Sequence, residues 1–279
     1  KRVGLTAWGS KMFTHLLREL YYMTEAVDYR LIKLFSFSYL AFGVLAACLL
    51  LYGITAPYGR YARAGWGCYI NGKLAWFVQE IPSFVVPLLI LFYSDCTKLD
   101  RWSNRILIGL FLIHYLQRAV IFPILIRGGK PTPFFPFILA FMFCLVNGYI
   151  QVGYLAHHGD FGTSWYLAGN FYAGILLFAF GLLVNIHSDH ILRTLRKPSE
   201  TGYKIPYGGM FEYVSGANFF GEIIEWLGFA VAGCSLPAFA FFFFTICNIG
   251  PRAYQHHRYY LEKFEDYPKH RKALIPFLF

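Results

Sequence analysis

From Leu34 to Ile54 the chain runs without a single charged residue. About 20 helical residues cross the hydrocarbon of a bilayer, so this stretch has the length of a membrane span. Further apolar stretches of similar length follow at Leu74 to Tyr93, Ile106 to Ile126, Phe134 to Ala156, Trp165 to Ile186, Met210 to Ala232 and Gly233 to Ile249. Backbone at membrane depth has no water to bond and must satisfy itself, which makes helices the expected form of each. Composition agrees: 57% of residues are hydrophobic and 14% charged, against about 25% charged in soluble domains. The expected fold is an all-α integral membrane protein, a single bundle of about seven transmembrane helices. The last two spans are nearly contiguous and predict a tight hairpin around Gly233 and Pro237. Residues 1–30 mix Lys1, Arg2, Lys11 and Arg18 with apolar residues and lack a signal peptide's organisation. They are expected to form an amphipathic interfacial segment ahead of one membrane domain over residues 31–279.

The charges sort by side. Alternate loops collect Arg60, Arg63, Lys73, Arg127, Lys130, Arg193, Arg196, Lys197, Lys204 and the six Lys and Arg after Ile249. The opposite loops hold only Lys98, Arg101 and Arg105 besides the N-terminal segment, which predicts a cytoplasmic C terminus. The formal charge of +10 is spread over loops and carries no nucleic-acid-binding motif, so a membrane surface and an anionic cofactor are the expected partners. The six cysteines show neither paired nor zinc-binding spacing, and no metal site is expected.

Polar groups at membrane depth are costly and concentrate at functional sites. The densest stretch lies between Asn185 and Trp226. Asn185, Asp189, Arg193 and Arg196 share a helical face by spacing, and Asn218, Glu222 and Glu225 share another. Guanidinium forks with loop N–H groups suit phosphates, and carboxylates and amides suit ribose hydroxyls or a carboxamide. A salt-bridged helical hairpin is the other reading of the same pattern. In the second span Gln79 and Glu80 adjoin Trp76 and Pro82. In the third, His114, Tyr115, Gln117 and Arg118 crowd one turn. Burial in an apolar site disfavours a charged carboxyl, so Glu80 is expected as an O–H donor. Beside the Tyr115 phenol it would make a two-donor clamp for a carbonyl oxygen. Asn147 and Gln151, four apart, are expected to bond between helices. Past the last span, Arg252, His256 and Tyr259 or Tyr260 share a face that can close over the 185–226 stretch.

Taken in order, AWFVQEIPSF (75–84), HYLQR (114–118), NIHSDHILRTLRKP (185–198), GYKIPYGG (202–209), EYVSGANFFGEIIEW (212–226) and EKFEDYPKHRKALIPF (262–277) strongly resemble the steroid 5α-reductase family. The resemblance starts near Ala75 and leaves the role of residues 1–70 open. It implies a membrane enzyme that uses NADPH to reduce the carbon 4 to carbon 5 double bond of a 3-keto-4-ene steroid drawn from the bilayer. Glu80 and Tyr115 would then polarise the 3-keto oxygen, with Gln79, Trp76 and Arg118 on the substrate side. Asn185, Asp189, Arg193, Arg196, Tyr203, Lys204, Asn218, Glu222, Arg252, His256 and Tyr260 would surround NADPH. That places the substrate pocket mainly in the N-terminal half and the cofactor site within residues 185–260. Lys204 stands where family members often carry Arg and supplies a point charge without the planar fork. No Rossmann glycine motif is present, so the cofactor is expected in a helical cavity open to the cytoplasm. The expected location is the endoplasmic reticulum membrane in a eukaryote or the inner membrane in a bacterium. A related enoyl-thioester or sterol reductase, and a membrane methyltransferase using S-adenosylmethionine, are the alternative classes.

Overall fold

The computed structural model describes residues 3–162, 164–197, 200 and 202–279; in residues 3–22 only the backbone and the Glu19 side chain are described. Helix α1 (Val3–Leu51) is unbroken. The segment expected at residues 1–30 therefore joins the first span directly; Lys1 and Arg2 lie outside the described residues. The second span is two helices, α2 (Gly72–Glu80) and α3 (Pro82–Tyr93). Asn71 starts α2 by accepting from the N–H groups of Lys73 and Leu74 at 3.1 and 3.3 Å, as an N-cap should. Pro82 lacks an N–H and breaks the ladder, leaving Glu80 on the last turn of α2. The third span comprises α4 (Trp102–Tyr115), a π-helical turn over Leu116–Ile121 and α5 (Phe122–Leu125). Such turns often mark functional positions, and this one holds Gln117 and Arg118.

Helix α6 (Phe134–Gly153) ends in a second π-helical turn over Tyr154–His158. Helices α7 (Gly169–Thr194), α8 (Ala217–Gly233) and α9 (Leu236–Lys263) complete the bundle. Among the described residues, six helical stretches are long and apolar enough to cross a membrane. The protein is thus a multi-pass, all-α membrane protein. The seventh expected span is the shorter α8, whose 17 residues include Glu222 and Glu225. It begins at Ala217, because Met210 belongs to a separate 3-10 turn over Gly209–Glu212. The hairpin falls where the sequence places it: Cys234 closes α8 in the left-handed conformation and Ser235 caps α9. Helix α9 runs on through Pro251, since one lost ladder bond is offset by packing around the fully buried Ala253.

Lipid is as apolar as a leucine side chain, so membrane helices associate through close packing rather than the hydrophobic effect. Helices α7 and α8 obtain it from glycine. A Cβ at Gly174, Gly181, Gly221 or Gly228 would run into the facing backbone. This approach brings the polar stripes together: the Asn185 amide donates to the Asn218 carbonyl at 3.0 Å, and the Asn218 amide to Asp189 at 3.3 Å. An aromatic core of Phe111, Tyr115, Phe178, Trp226, Phe229 and Phe241 packs behind them.

Loops assigned to one side by the charge count meet one another. Strand β1 (Tyr69–Ile70), ahead of α2, pairs antiparallel with β2 (Thr132–Pro133), ahead of α6. The loop before α8 is held from the C-terminal tail, where buried Arg271 donates to the Pro206 carbonyl at 2.8 Å.

Candidate active site

A cavity of about 720 Å³ opens among these elements, a size typical of small-molecule sites. Eleven of the residues named from sequence line it: Trp76, Gln79, Glu80, Tyr115, Arg118, Asp189, Arg193, Asn218, Glu222, Arg252 and His256. Two motif sets more than 70 positions apart in sequence therefore face one space. Toward the bundle interior, the break at Pro82 presents Glu80, whose Oε2 lies 3.5 Å from the Cys144 thiol. Tyr115, 3% exposed, accepts a hydrogen bond of 2.9 Å from the Asn147 amide. Phe143, Trp226, Phe241 and Phe244 make the adjoining walls apolar.

Arg118 stands between the two ends of this space. Its guanidinium donates to Asp189 at 3.0 Å and to Glu222 at 3.3 Å, and lies 4.8 Å from the ring centroids of both Trp76 and Phe122. Two aromatic faces and two carboxylates hold it, so the desolvated charge is well compensated. The Trp76 indole donates to the Arg118 carbonyl at 3.2 Å, which ties α2 to the π-helical turn.

The outer end is cationic. Arg60, Arg127, Lys130, Arg193 and Arg252 line it, and among the described residues none of them forms an ion pair with a carboxylate. Arg252 lies 4.6 Å from the Tyr58 ring centroid and 5.2 Å from that of Phe219. The His256 ring packs against Phe219 and Tyr61. Burial pushes the Tyr61 hydroxyl above its ordinary pKa, which keeps it a neutral donor. Unpaired cations converging on a cleft suit an anionic ligand.

Of the residues that the resemblance assigns to substrate or cofactor, five are not in the lining: Asn185, Arg196, Tyr203, Lys204 and Tyr260. Asn185 is fully buried behind it, with its Oδ1 unpartnered. Arg196 lies past the end of α7 and donates to the Gly202 carbonyl at 3.0 Å. The sequence explains why it leaves the helical face, since Lys197 precedes a proline and helices tend to end there. Lys204 is engaged by Glu200, and that bond holds the Glu200 carboxyl below its ordinary range. Tyr203 and Tyr260 reach the cavity through Arg60. The Arg60 guanidinium lies 4.5, 4.3 and 4.8 Å from the ring centroids of Tyr203, Tyr259 and Tyr260, and donates to the Tyr260 hydroxyl at 3.2 Å. Its Nη1 is buried without a partner.

Arg60 enters the sequence reading only as a loop charge, because its tyrosine partners lie far along the chain. Glu225 leaves its expected stripe: it is fully buried and accepts from His114 at 2.7 Å. It packs against His114, which lines the cavity, rather than lining the cavity itself. His114 and Glu225 thus form a buried pair that spacing along one helix could not reveal.

Known sequences resemble this chain over most of its length. The family described as 3-oxo-5-alpha-steroid 4-dehydrogenase matches residues 130–279. A Bos taurus protein named 3-oxo-5-alpha-steroid 4-dehydrogenase 1 is 51% identical over 240 residues, 85% of this chain and 93% of the relative. The Mus musculus protein of the same name is 53% identical over 225 residues, covering 81% and 88%. A Sus scrofa protein named 3-oxo-5-alpha-steroid 4-dehydrogenase 2 is 48% identical over 237 residues, covering 84% and 92%. With about half its residues shared along most of its length, the chain belongs to the 3-oxo-5-alpha-steroid 4-dehydrogenase, or steroid 5α-reductase, family.

Proposed function

We propose that the protein reduces the carbon 4 to carbon 5 double bond of 3-keto-4-ene steroids with NADPH. The carrying observation is a single cavity with two hydrogen-bonding acids at its apolar end and unpaired cations at the other. The residues fit the cofactor. Arg60, Arg193 and Arg252 would meet its phosphates, and the orphaned Arg60 Nη1 is a group that a polar ligand or its ordered water would satisfy. Asp189, Asn218, Glu222 and His256 would hold its ribose and carboxamide groups, with Tyr203 and Tyr260 supporting Arg60 from behind. When bound, NADPH supplies a hydride for carbon 5, and a proton from solvent taken up at carbon 4 completes the reduction.

The chain's own contribution is at the other end of the enone. Negative charge moves through the conjugated system to the 3-keto oxygen, where Glu80 and Tyr115 donate. Donors aimed at charge that develops only in the transition state lower the barrier more than they tighten binding. Glu80 must be protonated for this, because a carboxylate would repel the forming enolate. Arg118, held by Asp189 and Glu222, keeps the two ends in register. A location in the endoplasmic reticulum membrane with a cytoplasmic C terminus accords with mammalian relatives and with the loop charges. Anaerobic NADPH oxidation by the purified protein should be steroid-dependent and stoichiometric with 5α-reduced product. Oxidation at the same rate without steroid, or none with it, would refute the function.

A further inference from the structure

The hydrogen bond between Tyr115 and Asn147 has a direction that the surrounding structure imposes. A phenol hydroxyl can accept and donate, and only its donor side serves a substrate carbonyl. The direction is set two residues away. Gln151 places its amide nitrogen 2.8 Å from the carbonyl oxygen of Pro237, in the first turn of α9. A carbonyl can only accept, so the nitrogen end of the Gln151 amide is committed to that side. The same nitrogen lies 3.3 Å from Asn147 Oδ1. Asn147 thereby has its oxygen turned toward Gln151 and its nitrogen toward Tyr115, to which it donates at 2.9 Å.

All three side chains are buried, at 3% exposure for Tyr115, 0% for Asn147 and 2% for Gln151, so bulk water offers no alternative partner. Ser83, the hydroxyl beside the same phenol, gives its proton to the Cys144 carbonyl at 2.8 Å. Asn147 therefore leaves the Tyr115 proton to be given away, and the Ser83 oxygen or a ligand oxygen in the cavity can receive it. A phenol that already accepts a hydrogen bond is also polarised into a stronger donor.

We propose that Asn147 and Gln151 are positioning residues: an amide relay from the Pro237 carbonyl fixes Tyr115 as the acceptor on its Asn147 side, which keeps its proton for donation and hands it to the substrate's carbonyl oxygen when substrate is bound. The inference rests on the proposed function in taking that oxygen as the acceptor. The relay crosses three elements, since Tyr115 ends α4, Asn147 and Gln151 lie on α6, and Pro237 opens α9. The helix that carries Arg252 and His256 thus also sets the orientation of a donor at the opposite end of the cavity.

The test uses the full chain in lipid nanodiscs with two readouts. In single-turnover hydride transfer at saturating NADPH and steroid, Asn147→Leu should be about tenfold slower, the equivalent of one hydrogen bond. Placed on Tyr115→Phe, which lacks the oxygen to be oriented, Asn147→Leu should cause little further loss. A full tenfold loss in that background would show that Asn147 acts through packing and would overturn the relay. Gln151→Met, which keeps length and removes the anchor to Pro237, should slow transfer less and show the same dependence on Tyr115. The second readout needs no substrate: the infrared difference between protein with Tyr115 and with Tyr115→Phe isolates the phenol C–O stretch. That band should be displaced when the pair is compared in an Asn147→Leu or Gln151→Met background. An unmoved band overturns the relay whatever the protein reduces. A displaced band beside absent steroid-dependent turnover would uphold the relay and refute the reductase reading alone.

Discussion

Glu80 and Tyr115 make different demands on their surroundings, and the structure meets each locally. Glu80 is the last residue of α2 ahead of the break at Pro82, whereas Tyr115 is the last residue of α4 before the ladder widens. If both donate to one oxygen, Glu80→Ala and Tyr115→Phe should each slow single-turnover hydride transfer about a hundred- to a thousandfold. Glu80→Gln, with a weaker N–H donor, should fall between Glu80→Ala and the parent. The double variant should lose less than the product of the two. Near-parental rates in both single variants would dissolve the clamp. Arg118 invites a stability test instead. Arg118→Met would leave the buried Asp189 carboxylate beside the partly exposed Glu222 without a cation, which costs up to about 3 to 5 kcal/mol, the figure for a buried pair that loses one partner. Arg118→Lys keeps the charge but cannot fork to both carboxylates, so it should lose less. Thermal unfolding in detergent, read with and without NADPH, would rank the two; equal midpoints would mean that the triad contributes nothing to the fold.

At the scale of elements, the seam between α7 and α8 positions the polar stripes, and its glycines are the expected weak point. Gly181→Leu places side-chain atoms where the backbone at Glu225 lies. Overpacking of this kind typically costs about 1 to 3 kcal/mol, and separating the helices would also pull Asn185 and Asp189 away from Asn218. NADPH affinity measured by fluorescence should fall along with stability, although Gly181 does not line the cavity. Unchanged affinity in a stable Gly181→Leu protein would show that the seam does not position the site. Of this seam the sequence carries the polar half: spacing at four places Asp189 above Asn185 and Glu222 above Asn218. The paired glycines look like ordinary residues of an apolar run until the facing helix is known. Helix ends were legible where a local signal was read, as in the Gly233 to Pro237 hairpin, whereas the break at Pro82 fell inside a span expected to run from Leu74 to Tyr93. They were illegible where packing decides, as in the passage of α9 through Pro251. Arg60 was hidden for a third reason: a guanidinium stacked on Tyr203, Tyr259 and Tyr260 depends on loops brought together only by the folded bundle.

For the whole molecule, the cavity's apolar lining and its cationic lining suit ligands of opposite character, and this predicts two routes of entry. The cationic end is formed by the loops before α2 and before α6, the last turn of α7 and α9, and its charges can draw an anion from water. Exposed charges are screened by salt over about 10 Å at 0.1 M, so NADPH affinity should weaken as ionic strength rises. A neutral steroid has no such term. Its route is indicated by Leu139, which is 68% exposed on the outer face of α6 and also lines the cavity. Ile126, Phe122 and Phe244 continue that apolar lining. A steroid dissolved in the acyl chains would therefore enter sideways past Leu139. Leu139→Trp, with more bulk in an apolar setting, should slow steroid association severalfold while leaving NADPH affinity and its salt dependence intact. Stopped-flow measurement in nanodiscs of fixed lipid content separates these quantities, because steroid association is read at saturating NADPH. If Leu139→Trp weakened NADPH binding and left steroid association unchanged, the lateral route would be wrong and both ligands would have to share the cationic mouth.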